Sequence, residues 1–199
     1  GTATDNTSGL ACGGDAPPGS PSYVADTEEW AGANADVGAW ASAPDTNTAS
    51  QSGGGAGIYT AALKFGGAPI PTSGYTEYYN GSSWTEVNDL NTARNKTLGF
   101  GLYTAAICCN GDDPGYSALS ETFNGTSWSE GNDLNQAREQ ASSVSGTVTA
   151  GLIFGGQGPP PGMQTVAEEY NGTSWTEVSD LNTGRYLLAG SGTTTAGLA

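Results

Sequence analysis

Apolar and polar positions alternate in short runs along this chain, and Gly, Pro and Asn-Gly punctuate the runs. The clearest pair covers 165–170 and 174–178, split by Asn171-Gly172. Alternation of this kind predicts half-buried strands, and Asn-Gly between two of them predicts a hairpin. With a two-residue turn, Tyr170 stands opposite Thr173 and Glu168 opposite Trp175. Tyr170 and Trp175 are then diagonal neighbours on one face. The stretch Tyr170-Asn171-Gly172-Thr173-Ser174-Trp175 recurs as Phe123-Asn124-Gly125-Thr126-Ser127-Trp128 and as Tyr79-Asn80-Gly81-Ser82-Ser83-Trp84. No stretch sustains apolar spacing of three and four, so an all-β chain almost without helix is expected.

The recurrence has a period. Trp40, Trp84, Trp128 and Trp175 are 44, 44 and 47 residues apart. Asp45, Asp89, Asp133 and Asp180 follow the Trp by five positions, and Asn47, Asn91, Asn135 and Asn182 by seven. Ten positions on stand Arg94, Arg138 and Arg185, with Ser50 as the exception. Self-similarity at this period predicts a propeller or an array. The units read as a partial one over 1–14, then 15–58, 59–102, 103–149 and a partial 150–199. Residues 1–14 read as the tail of a unit, and 15–50 belong to the most degenerate copy.

Each unit divides into four strands, in the best copy 140–144, 150–154, 165–170 and 174–178. The second strand ends on a Gly pair, as in Leu152-Ile153-Phe154-Gly155-Gly156 and Leu63-Lys64-Phe65-Gly66-Gly67. First and second strands are joined by short turns. Second and third strands are joined by long connections rich in Pro and Gly, at 16–21, 68–74, 112–115 and 157–162. In an antiparallel meander alternate loops leave from opposite faces, so the long connections share one face.

A Gly-Gly pair closing an apolar strand, then an aromatic, then a Trp, then a loop ending in Arg resembles the kelch repeat. The resemblance covers 51–185 well and 1–50 loosely. It implies a kelch-like β-propeller of four-stranded antiparallel blades, about four of them here. The short Tyr-Asn-Gly-Thr-Ser-Trp turn departs from cellular kelch repeats. It is similar to kelch-like repeats in virion proteins of marine and other environmental phages.

Composition narrows the chemistry. The net charge is −15, with Lys64, Arg94, Lys96, Arg138 and Arg185 as the five basic residues. No basic patch can be assembled from these, so nucleic acid is not an expected partner. No apolar run is long enough for a transmembrane helix, and no membrane insertion is expected. Histidine is absent. That removes the commonest general base and the ligands that a kelch-type copper oxidase needs. Cys12, Cys108 and Cys109 form no disulfide framework and read as buried thiols, with Cys12 and Cys109 in the slot of Phe65 and Phe154.

Glu28, Glu77, Glu121 and Glu168 share one slot, and the arginines share another. Glu–Arg pairs between neighbouring units would fix their register. A carboxylate repeated in every unit serves its own unit rather than one catalytic pocket, and no other enzyme motif stands out, so an enzyme is not expected. The four Asp after the Trp read as loop caps. Ca²⁺ is their rival reading and the one cofactor considered, although no Asp-x-Asp-x-Asp-Gly loop supports it. Trp40, Trp84, Trp128, Trp175, Arg94, Arg138 and Arg185 are thus expected to be structural. Tyr23, Tyr75 and Tyr116 sit at or near the ends of the long connections, where exposed aromatics would suit sugar stacking. With Asp112, Asp113 and Gln157 they form the candidate binding set.

The function expected is a non-catalytic virion or extracellular-surface module that binds a partner protein or surface glycan through its long loops. The alternatives are a purely structural decoration or fibre component, partnered by other chains of an assembly, and a glycan-active enzyme. The stretches Thr7-Ser8-Gly9-Leu10-Ala11 and Thr195-Ala196-Gly197-Leu198-Ala199 encode the same strand. Self-contained ring closure is therefore not expected. The chain, which lacks an initiator Met, reads as a mature form or as a section of a longer repeat protein.

Overall fold

The structure, a computed structural model, describes residues 2–5, 8–15, 23–31, 39–68, 74–144 and 146–199, the first group as backbone only. The connection 16–21 and most of 68–74 lie outside the described residues. Four four-stranded antiparallel sheets follow one another along the chain. The first holds β1 (Thr2–Asp5), β2 (Ser8–Asp15), β3 (Tyr23–Ala31) and β4 (Ala39–Ala43). The second holds β5 (Gly54–Ile58), β6 (Ala61–Phe65), β7 (Thr76–Tyr79) and β8 (Trp84–Val87). The third holds β9 (Leu98–Leu102), β10 (Ala105–Cys109), β11 (Ser120–Phe123) and β12 (Trp128–Glu130). In the fourth, β13 (Ser142–Ser143) and β14 (Gly151–Phe154) pair on to β17 (Ala167–Tyr170) and β18 (Trp175–Glu177). Between them β15 (Gln157–Gly158) and β16 (Gly162–Met163) make a small ribbon, and β19 (Ser191–Thr193) pairs with β20 (Ala196–Leu198) after the fourth sheet.

These sheets are propeller-like blades. The first strands β1, β5, β9 and β13 lie beside one another, so the sheets stack face to face from that inner edge. No closed ring is detected among the described residues. The sequence period cuts the chain at 58/59, 102/103 and 149/150, each inside the turn between a sheet's first and second strands. Residues 2–15 are the first two strands of the first sheet. A repeat length carries no phase, which is why the cut points and the sheet edges differ.

The core lies between the sheets. Leu63 and Phe65 of the second sheet pack with Ala106, Cys108, Phe123 and Trp128 of the third. Phe100, Ile107 and Cys109 of the third pack with Ile153, Tyr170 and Trp175 of the fourth. Cys108 and Cys109 therefore face different junctions, as successive strand residues must. Close stacking demands small residues on the inner strands: a Cβ at Gly151 would lie 2.2 Å from the Phe100 ring. The Gly pair ending each second strand is a backbone requirement too. Gly155 and Gly156 have φ of +66° and +100°, and in the third sheet Asn110 and Gly111 adopt +56° and +117°.

The Asn-Gly hairpins differ from the expected two-residue turn. Tyr170 stands directly opposite Trp175, and Glu168 opposite Glu177. The loop has four residues, and only its glycine takes a positive φ, +94° at Gly172. A two-residue type I′ turn needs both central residues there. Instead Asn171 Oδ1 accepts the backbone N–H groups of Thr173 and Ser174, each at 2.9 Å. The pairing moves by two residues, so Tyr170 and Trp175 stay on one face, with ring centroids 4.9 Å apart.

Candidate functional site: the long-loop face and the sheet junctions

Each junction is held by one carboxylate. Glu121 on β11 is buried, and the loop from the second sheet wraps it. Asn91 donates its backbone N–H at 2.8 Å and its Nδ2 at 2.9 Å, Thr92 N–H donates at 3.2 Å, and Arg94 donates at 2.9 Å. Glu168 on β17 is held in the same way by Asn135, Gln136 and Arg138. Neither arginine has exposed surface. Burial disfavours the Arg138 cation and lowers its pKa, against the attraction of Glu168. The asparagines also donate to Trp128 O and Trp175 O, each at 3.1 Å, so one loop clamps the third and fourth strands of the next sheet.

The junction before the second sheet lacks an arginine because residue 50 is Ser. Asn47 and Thr48 still donate to Glu77. Lys64 of β6, directly across the strand from Glu77, is the neighbouring positive charge but makes no ion pair with it: its Nζ donates to Thr46 Oγ1 at 3.2 Å and Thr48 O at 2.7 Å. Burial lowers the Lys64 pKa, while Glu77 pulls it back up.

The expected Trp role divides. Trp84, Trp128 and Trp175 are 6%, 4% and 5% exposed, whereas Trp40 is 52% exposed. The buried three pack against the sheet before their own. Among the described residues no sheet covers Trp40 from that side, so it corrects the expectation of a core residue. Arg185 departs for the mirror reason. It is exposed, and among the described residues its side chain donates only from Nε to Thr183 O at 3.3 Å, with no carboxylate partner. The Asp slot also differs from a local loop cap. Asp89 accepts Thr76 N–H, and Asp180 accepts the Thr165 hydroxyl, so both tie the fourth strand's exit to the third strand's start. No group of three or more His, Cys, Asp or Glu side chains able to hold a metal occurs among the described residues.

The described long connections, 112–115 and 157–162, share one face with the loops that enter their sheets. Backbone bridges pair Asn95 with Asp112 and Glu139 with Gln157, so these two long connections are anchored to the loops entering their sheets. Asp112 accepts Gly115 N–H, and Asp113 N–H donates to Gly115 O at 3.0 Å, which tightens 112–115 into a small knuckle. Tyr116 bridges back to Asp112 and is half-buried, as is Tyr23 at the start of β3. Tyr75 is 47% exposed. The three tyrosines belong to three different sheets. What the fold does bring together is Asp112, Gln157 and two residues not singled out from the sequence. Lys96 Nζ lies 3.4 Å from Asp112 Oδ2 and 2.9 Å from Glu139 Oε2, and Gln157 pairs with Glu139 through backbone N–H and C=O. Partial burial lowers the Lys96 pKa, but the hydrogen bond and charge of Glu139, with Asp112, outweigh it and raise it overall.

Two positions after the arginine slot, Ser52, Lys96, Gln140 and Leu187 all have φ between +52° and +58°. Gln140 N–H donates to Lys96 O at 3.3 Å, and Leu187 N–H to Gln140 O at 3.2 Å, which links the loops in series. These residues and their neighbours surround a cavity of about 320 Å³ at the inner edge of the long-loop face. A second cavity of about 350 Å³ shares Ser52 and Gly53 with it and runs along the first strands past Cys12, Gly99 and Ser143. The four residues share no chemical type, so nothing in the sequence marks them beyond their offset from the Trp.

The solved structure of YjhT is similar in fold, with a TM-score of 0.72 at 12% identity. The similarity covers 92% of this chain and 66% of that one, so the chain spans just under two thirds of YjhT. At that identity the likeness speaks for fold alone. No family model matches the sequence, and no curated protein matches it.

Proposed function

We propose that this chain is a kelch-like propeller module of a virion or extracellular surface, non-catalytic, that binds a partner protein or surface glycan through its long-loop face. The observation that carries this reading is a contrast on one scaffold. The carboxylate clamps repeat atom for atom at the junctions of the third and fourth sheets, while the loops beside them differ: a four-residue knuckle at 112–115, a two-stranded ribbon at 157–163. Rigid repeats with variable loops are a common way to carry recognition. The cavity of about 320 Å³ beside those loops has the size of a small-ligand site, and Tyr75 offers an exposed ring for stacking.

Binding of the intact chain to an array of immobilised glycans tests the proposal, with variants whose 112–115 and 157–162 loops are each replaced by a short Gly-Ser turn. Loss of binding with unchanged melting supports the long-loop face. Retained binding in both variants counts against it.

A further inference from the structure

The sequence holds four Asn-Gly pairs, at 80–81, 110–111, 124–125 and 171–172. The fold sorts them into two environments. Asn80, Asn124 and Asn171 open the hairpin loops of the second, third and fourth sheets and are exposed. Each turns its Oδ1 on to two backbone N–H groups, those of Ser82 and Ser83, of Thr126 and Ser127, and of Thr173 and Ser174, at 2.9–3.0 Å. The N–H groups of Gly81, Gly125 and Gly172 donate to no acceptor among the described residues. Asn110 is the opposite case. It has no exposed surface, its Oδ1 and Nδ2 are buried without a partner, and Gly111 N–H donates to Arg138 O at 2.9 Å.

We propose that Asn80, Asn124 and Asn171 are sites of spontaneous modification to aspartate and isoaspartate, and that Asn110 is spared. The backbone nitrogen of the following glycine attacks Cγ of the asparagine and gives up its proton to solvent. Glycine has no Cβ to hinder that approach. As the new C–N bond forms, negative charge gathers on Oδ1. The two N–H groups already aimed at this oxygen stabilise the charge, as the donors of an oxyanion hole do. Nδ2 takes a proton from solvent and leaves as ammonia, which closes a succinimide ring. Water then opens the ring, with no oxidation or reduction. Opening at Cγ leaves aspartate, and opening at the main-chain carbonyl leaves isoaspartate, with an extra carbon in the backbone of the loop. Each event adds a carboxylate beside the turn between first and second strands, where Gly81, Gly125 and Gly172 lie against Thr60, Thr104 and Thr149. At Asn110 the attacking nitrogen is held by Arg138 O, no N–H group is bonded to Oδ1, and burial keeps solvent from the amide. This inference is independent of the long-loop reading.

Peptide mapping by mass spectrometry tests it, on the full chain aged at mildly alkaline pH with and without concentrated urea. In the folded chain each hairpin asparagine is expected to convert at least roughly tenfold faster than Asn110, because freeing Gly111 N–H costs a buried hydrogen bond. In urea all four sites are expected to convert at similar rates, since each is then an ordinary Asn-Gly pair. Conversion of Asn110 in the folded chain as fast as at the hairpins overturns the proposal, and so does a hairpin asparagine that fails to convert. Sparing of Asn110 that persists in urea would trace to its sequence neighbours and not to the fold, and overturns it as well.

Discussion

Arg138 and Glu168 meet at 2.7 Å across the boundary between the third and fourth sheets, and neither has solvent-exposed surface. Removing one partner of such a pair leaves a buried charge uncompensated. Arg138→Ala should destabilise the chain by about 3–5 kcal/mol, read from the urea midpoint. Adding Glu168→Gln to that variant should cost much less than it costs alone, because the clamp is already broken. Additive losses would mean that the two residues act separately.

Lys64 stands in for an arginine that the preceding loop lacks. Lys64→Ile gives the second sheet the residue found at Ile153 in the fourth, but leaves Glu77 buried without a cation. It should lower stability by about 3 kcal/mol or more. Ser50→Arg on that background supplies the side chain used at Arg94 and Arg138 and should recover most of the loss. Ser50→Arg alone crowds two cations around one carboxylate and should destabilise. The three urea midpoints check the order.

Alkaline pH should loosen the fold by a defined route. Burial pushes the Cys108 thiol up to about 11, and burial with the 2.6 Å hydrogen bond to Glu29 pushes Tyr79 up to about 12. Both groups are held neutral in the folded state. Their contribution is therefore fully present below the ordinary values of 9.0 and 10.0 and is lost as pH rises through about 11 and 12. The melting temperature should be level up to about pH 9 and fall above it, and Tyr79→Phe should flatten the upper part of the fall. At pH 8 the native chain should resist alkylation at Cys108 and Cys109.

How much of this was legible in the sequence follows from what each residue type must do. The Trp, Asp, Asn and Arg spacings predicted a propeller or an array, the alternation between turns predicted four strands in each unit, and the glutamate and arginine slots predicted contacts between units. The phase of the units was not legible, since repetition has no starting point. The hairpin length was not, because Asn171 closes its loop through its side chain rather than through positive φ. The environments of Trp40 and Arg185 were not, because they depend on which sheet lies next door. Ser52, Lys96, Gln140 and Leu187 share only a backbone conformation, which side-chain identity does not reveal.

Leu187 adopts that conformation while exposed, at 72% with φ +52°. Leucine is disfavoured there and asparagine is tolerated. Leu187→Asn should raise stability by about 0.5–1 kcal/mol, measured by thermal melting, with the fold unchanged. A loss of stability would mean that the Leu187 side chain is held by contacts stronger than its backbone strain.

The central claim is that recognition belongs to the long-loop face. The most direct test is a paired binding measurement on a glycan array, with 157–162 replaced by a Gly-Ser turn in one variant and Thr147, at the opposite end of the fourth sheet, changed to Ala in the other. Binding lost in the first and kept in the second, at equal melting temperatures, is the predicted result. Binding kept in the loop variant and lost in Thr147→Ala would contradict the account.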